Sequence, residues 1–174
     1  MLPDYESIFS NNCVNNRNYF DYLCIYKIRF EVDTNPPGSF DTEELLLLQP
    51  FSFYAKCFRL PDLFAGKLHA LLYRNWKNRV KGRDWYDFEC FIRHAHPVSL
   101  KHLLARAQQT GAFDGVGTLT IEMLQEALHM RVGEVNFEQA KADVRPFLSN
   151  VETLDLWSDE YFHQLVNKVV GVST

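Results

Sequence analysis

The first regular pattern along the chain is a strict alternation of apolar and polar residues over residues 25–33. Such alternation predicts a β-strand with one buried face. Two consecutive prolines and then Gly38 end it, because proline cannot donate to a β-ladder and glycine permits a sharp turn. A second β segment, interrupted by Pro50, is predicted over residues 45–58. The two segments could pair as antiparallel neighbours around the loop at residues 34–44.

From residue 60 onward, apolar residues recur at helical spacing. Pro61 suits the first turn of the first helix, and Ser or Thr stands at the N-cap position of three later ones. Pro146 is expected to end or kink the fifth helix. The fold class is therefore α+β, a small antiparallel sheet followed by a helical bundle, with a β region at residues 1–59 and a helical domain at 60–174. The helices are predicted from about residue 60, and then over about 83–94, 99–109, 119–131, 136–147 and 158–170.

The composition of the 174 residues limits the class of protein. With 47% hydrophobic and 14% aromatic residues, the chain can bury a core and is not disordered overall. No apolar run approaches the roughly 20 residues that span a bilayer, so we expect a cytoplasmic protein without a membrane partner. The net charge of −4 argues against a whole-surface attraction to nucleic acid but allows a local basic patch.

Two carboxylates lie on the polar side of the predicted strand. Glu31 and Asp33 are two residues apart, so both side chains point to one face, roughly 7 Å apart along the chain. Carboxylate oxygens are the ligands that Mg²⁺ prefers, which makes this a candidate metal site. The alternative is a solvated face on which Lys27, Arg29 and Glu31 form weak cross-strand pairs. The alternation alone favours that alternative.

A lysine interrupts the apolar side of the first helix. Lys67 comes three residues after Phe64 and four before Leu71, which places it on or beside the apolar stripe. Arg74 follows two turns later on the same side. Lys67 either extends along the rim of the core to reach water, which is the commoner outcome, or contacts an anion held against that face.

A basic stretch at residues 74–83, RNWKNRVKGR, holds five cations and no acid. Phosphate oxygens of a nucleotide or an RNA backbone are its natural counter-ions, although a charge run is often just a solvated loop. Arg83, Asp84 and Asp87 then open the next helix, where the helix dipole favours negative charge. These residues form either a cap with an ion pair, or a site in which an Asp contacts a metal-bound nucleotide or acts as a base while Arg83 holds a phosphate.

Three stretches in this order, KIRFEVDTNPPGSF (27–40), LPDLFAGKLHALLYR (60–74) and NRVKGRDWYDFECF (78–91), resemble the nucleotidyltransferase toxin family of the AbiEii/AbiGii type, known from abortive infection. The resemblance covers roughly residues 22–170. It implies a nucleotidyltransferase that uses Mg²⁺ to transfer a nucleotide from an NTP to an RNA acceptor, a tRNA end in characterised relatives. It also implies an antitoxin protein as partner.

The resemblance further implies a role for each matching residue. Asp33, with Glu31, corresponds to the strand-borne acid that completes the metal site or activates the acceptor hydroxyl. Lys67 corresponds to a contact with the triphosphate, and Asp84 to a ligand of the nucleotide or metal. The implied catalytic residues are Asp33, Lys67 and Asp84; the implied nucleotide- or phosphate-binding residues are Lys27, Lys67, Arg74, Arg83 and Asp87; and the implied metal ligands are Glu31 and Asp33.

One departure from the family pattern concerns residues 1–25, which lack its Gly-Ser or Gly-Gly turn and the D-x-D pair that follows it. We therefore expect the C-terminal portion of such a protein, inactive alone because two-metal catalysis needs those carboxylates. The alternative is a non-catalytic remnant that binds an antitoxin-like partner or RNA through residues 74–83. An incomplete sheet would leave an exposed edge, so we also expect self-association.

Overall fold

The computed structural model describes residues 32–74, 80–113 and 117–172. The α+β class is confirmed: a two-stranded antiparallel sheet precedes a set of packed helices. The strands are β1 (Thr42–Leu47), β2 (Phe53–Phe58), β3 (Val98–Ser99) and β4 (Gly171–Val172). The helices are α1 (Leu60–Tyr73), α2 (Gly82–Arg93), α3 (Leu100–Gln109), α4 (Ile121–Gly133), α5 (Phe137–Val144) and α6 (Asp159–Val166), with 3₁₀ turns at Arg145–Phe147 and Glu152–Leu156.

The predicted β segment at residues 45–58 is a hairpin in itself. β1 pairs with β2, with Leu45 opposite Ala55 and Leu47 opposite Phe53, and the turn contains a cis peptide bond before Pro50. The expected pairing with the strand at residues 25–33 lies almost wholly outside the described residues. At the end of that stretch, residues 32 and 33 are not in a strand.

The helix starts follow the predicted caps. The hydroxyl oxygens of Ser99, Thr120 and Ser158 accept hydrogen bonds from backbone N–H groups three residues later, at 3.2–3.3 Å. The expectation that Pro146 ends or kinks the fifth helix is confirmed, because α5 ends at Val144 and the chain passes Pro146 in a 3₁₀ turn. One predicted end was wrong. α6 ends at Val166, not near residue 170, because the chain then extends into β4, which pairs in parallel with β3.

Helix α1 lies at the centre of the arrangement, in contact with both α2 and α3. Its residues Phe64 and Leu68 are fully buried, and aromatic rings from α2, α5 and α6 complete the core. The rings of Trp85, Phe137 and Phe162 have centroids 4.6–5.2 Å apart. None of the helices within the described residues is long and apolar enough to cross a membrane.

Candidate functional site

An ion pair joins α1 to α2 at the surface. Lys67 Nζ donates a hydrogen bond of 2.7 Å to Asp87 Oδ2, and the two side chains are 43% and 34% exposed. Each residue is followed along its helix by a fully or almost fully buried side chain, Leu68 on α1 and Phe88 on α2. A pair this exposed contributes at most about 1 kcal/mol to stability, so its main effect is to position the two charges.

Asp84 lies one turn before Asp87 on the same helix. Its side chain is 13% exposed, with Lys81 Nζ 3.6 Å from Oδ1. Burial, the largest cause, raises the pKa of Asp84, and the nearby charge of Asp87 raises it further. Lys81, Arg74 and Lys67 act in the opposite direction on this pKa without reversing the shift. A half-buried carboxylate inside a cluster of charges is a recognised mark of a functional site.

Two other predicted site residues point elsewhere. The Arg83 guanidinium lies above the ring of Phe147, 4.9 Å from its centroid. Asp33 is exposed, and its Oδ1 accepts a 3.1 Å hydrogen bond from the N–H of Asn35. Asn35 O in turn accepts a 2.8 Å hydrogen bond from Gln109 Nε2, so Asp33 is tethered beside the end of α3.

Lys27 and Glu31 lie outside the described residues, as do residues 75–79 of the basic stretch. The roles of these residues stay predictions. In the part of the chain that the structure describes, no group of three or more His, Cys, Asp or Glu side chains is arranged to hold a metal ion. Asp84 offers carboxylate oxygens of the kind that Mg²⁺ prefers as ligands.

The other side of α1 carries a second cluster, formed by His69, His102 and Arg106 with Asp62 nearby, that the sequence did not reveal. His69 is 8% exposed, and its Nε2 lies 3.0 Å from Thr110 Oγ1. Burial lowers the pKa of His69 most, and the charges of Arg106, Arg74 and His102 lower it further. The Nε of Arg106 is buried and has no hydrogen-bond partner among the described residues.

Arg106 had a signal in the sequence. Leu103, one turn before Arg106 in α3, and Ala107, the next residue, are both buried. Arg106 therefore borders the apolar stripe of its helix, as Lys67 does in α1. Arg74 affects the pKa of both His69 and Asp84, which places it between the cationic α1/α3 side and the mixed-charge α1/α2 side. The structure thus brings together Lys67, Arg74, Asp84 and Asp87 and adds Arg106 to the candidates.

A family model described as "Nucleotidyl transferase AbiEii toxin, Type IV TA system" matches residues 19–167. The chain belongs to this family. Comparison with curated proteins gave no match, and comparison with solved structures gave none either. All three motif stretches of the AbiEii resemblance lie inside the matched range, so the resemblance is confirmed. Membership in a type IV toxin–antitoxin family suggests an antitoxin as partner.

Proposed function

We propose that this AbiEii family member binds a nucleoside triphosphate with Mg²⁺ at the α1/α2 helix crossing, as part of nucleotidyl transfer to an RNA acceptor. The observation that carries the proposal is the 2.7 Å contact of Lys67 Nζ with Asp87 beside the half-buried Asp84. Two helices thereby hold an ammonium and a carboxylate within reach of one ligand.

Lys67 has donors left over for a phosphate. An ammonium carries three N–H groups, and Asp87 accepts one, which fixes the direction of the side chain. A triphosphate oxygen is a stronger charge-assisted acceptor than water and would take another. Arg74, exposed at the end of α1, supplies a guanidinium on the same side.

Asp84 is suited to a cation brought by the nucleotide. Its raised pKa shows that the surrounding lysines and arginine do not fully compensate its burial, so an added positive charge would be stabilised there. Bound Mg²⁺ would supply neutralisation of the phosphate charge. For Asp33, with Glu31, we keep the role that the family resemblance implies, an acid that completes the metal site or activates the acceptor hydroxyl.

The test is Mg²⁺-dependent binding of each of the four NTPs by calorimetry. Binding is the right readout, because residues 1–25 lack the D-x-D pair that turnover in the family pattern needs. Lys67→Met should weaken binding by roughly 10- to 100-fold, the equivalent of one hydrogen bond to a charged group. Lys168→Met, an exposed lysine beyond α6, is the matched control and should bind as the wild type does. Unchanged binding in both Lys67→Met and Asp84→Asn would refute the proposal.

A second candidate is a non-catalytic role in which residues 74–83 bind RNA or an antitoxin-like protein. It is favoured by the exposure of Arg74 and Arg83, the two described arginines of this stretch. RNA affinity should then fall steeply with salt and be lost in the double variant Lys77→Glu, Arg79→Glu, without any effect of NTP. Competition between NTP and RNA would instead favour the nucleotidyltransferase proposal.

A further inference from the structure

Two histidines meet across the contact between α4 and α6. His129 Nδ1 and His163 Nδ1 are 2.7 Å apart, with ring centroids 4.9 Å apart and the rings inclined by 32°. His129 Nε2 lies 3.1 Å from Asn167 Oδ1, just past the end of α6. Both rings are half-buried, so solvent and small ions reach them.

The hydrogen-bond partners define the tautomers. Asn167 Oδ1 can only accept, so His129 Nε2 carries its proton and His129 Nδ1 presents a lone pair. His163 Nδ1 is then the donor in the bond between the rings. If that proton moves to His163 Nε2 by exchange with water, both Nδ1 atoms present a lone pair to the space between α4 and α6.

We propose that His129 and His163 form a binding site for a divalent transition-metal ion of the Ni²⁺ or Cu²⁺ class, with water completing the coordination. Two nitrogens bound at about 2.0–2.1 Å and at right angles, as in tetragonal sites, lie about 2.9 Å apart. The two nitrogens therefore need to separate by only about 0.2 Å from their present 2.7 Å, and the rings need to turn so that each lone pair faces the ion instead of the other ring. Tetrahedral zinc needs about 3.3 Å between them, a larger movement.

Asn167 acts on this site as a positioning residue. By accepting from His129 Nε2 it holds the ring with Nδ1 toward His163, which is the usual function of the outer hydrogen bond of a metal-bound histidine. The site has no residue in common with the Lys67–Asp84–Asp87 cluster, and imidazole nitrogen is a poor ligand for Mg²⁺. The inference therefore stands or falls independently of the proposed nucleotide site.

The experiment is calorimetric titration of the full, tag-free, reduced protein with Ni²⁺, followed by thermal unfolding with and without the ion. His129→Ala and His163→Ala should each weaken Ni²⁺ binding at least tenfold, and Asn167→Ala by about 10- to 100-fold. Zn²⁺ should bind more weakly than Ni²⁺. Ni²⁺ should raise the unfolding midpoint of the wild type more than that of the His129→Ala and His163→Ala variants, because binding to the native state stabilises it.

The double variant His94→Ala, His96→Ala is the matched control. These rings also stack, with centroids 5.9 Å apart, but His94 Nδ1 is already 2.8 Å from Cys90 O. Ni²⁺ affinity unchanged in the His129 and His163 variants, or lost in the control, would overturn the inference. If a variant fails to fold, NMR of the wild type still decides: paramagnetic Ni²⁺ must broaden the His129 and His163 ring signals before those of His94 and His96, and the reverse order refutes the site.

Discussion

Gly82, the first residue of α2, can be replaced only if that helix moves. A Cβ atom built there would lie 1.9 Å from the carbonyl oxygen of Ala140 on α5, and that contact must lengthen to at least 3.0 Å. The obstacle is backbone, so no side-chain rotation relieves it. The N–H of Gly82 also donates a 3.1 Å hydrogen bond to Asp143 Oδ2, which ties the same point of α2 to α5.

Gly82→Ala should therefore destabilise the protein by about 2 kcal/mol. Overpacking costs about 1–3 kcal/mol, here at the upper end because helix must move against helix. The better helix propensity of alanine returns up to about 1 kcal/mol. In urea unfolding followed by circular dichroism, with a slope of about 2 kcal/mol/M, the midpoint should fall by roughly 1 M.

Gly66→Ala is the control within α1. No atom lies within 4 Å of a Cβ at Gly66, so this variant should gain roughly 0.5–1 kcal/mol from helix propensity alone. A Gly82→Ala protein as stable as the wild type, or stabilised to the same extent as Gly66→Ala, would refute the close α2–α5 contact. That contact sets where Asp84 and Asp87 stand relative to Lys67, so its failure would also weaken the geometry of the candidate site.

Two further substitutions test the charged interior. Asp84→Asn should raise the free energy of unfolding at pH 8. A carboxyl with a raised pKa stabilises the fold below its unfolded pKa and loses that contribution as the pH rises. The gain from Asp84→Asn should therefore shrink as the pH falls toward 3.8, the ordinary pKa, and urea unfolding at several pH values measures it. Glu89→Gln should lower the free energy of unfolding by about 1–3 kcal/mol. The buried Glu89 carboxylate accepts hydrogen bonds from Trp157 Nε1 (2.8 Å) and Tyr161 Oη (2.7 Å), and an amide in its place leaves one of these donors unpaired. Burial, and then the hydrogen bond to Glu89, raises the pKa of Tyr161 to about 12. Tyrosinate absorbance should therefore show Tyr161 titrating at lower pH in Glu89→Gln. An unchanged titration would contradict this hydrogen bond as a cause of the raised pKa.

Local features of the fold could be predicted because their physics is local. Ser99, Thr120 and Ser158 cap helices whose apolar period starts directly after them, and Pro61 marks the first turn of α1. The residues of the α1/α2 cluster were also candidates from sequence, each for its own reason. Their meeting at 2.7 Å depends on how α1 crosses α2, which a single amphipathic period does not determine.

Features that depend on contacts between residues far apart in the sequence were missed, because local patterns do not determine how the elements pack. β3 and β4 are two residues each and join positions 98 and 171, too short for any alternation to show. Arg106 borders an apolar stripe in the sequence, but the burial of its Nε depends on the packing of α3 against α1. The His129–His163 contact likewise exists only because α4 meets α6.

The charge distribution around α1 suggests how a nucleotide would lie. On the α1/α2 side the cations Lys67 and Lys81 are already opposed by Asp87 and Asp84, so added negative charge gains little there without a metal ion. On the α1/α3 side, the charges that act on His69 are all positive. A cation held at Asp84 would therefore let phosphate oxygens contact Lys67 at the α1/α2 crossing, while Arg74 and Arg106 attract the remaining phosphate charge. We therefore propose a metal-bound triphosphate as the ligand, because its cation would be stabilised at Asp84, whereas an isolated phosphate brings no cation.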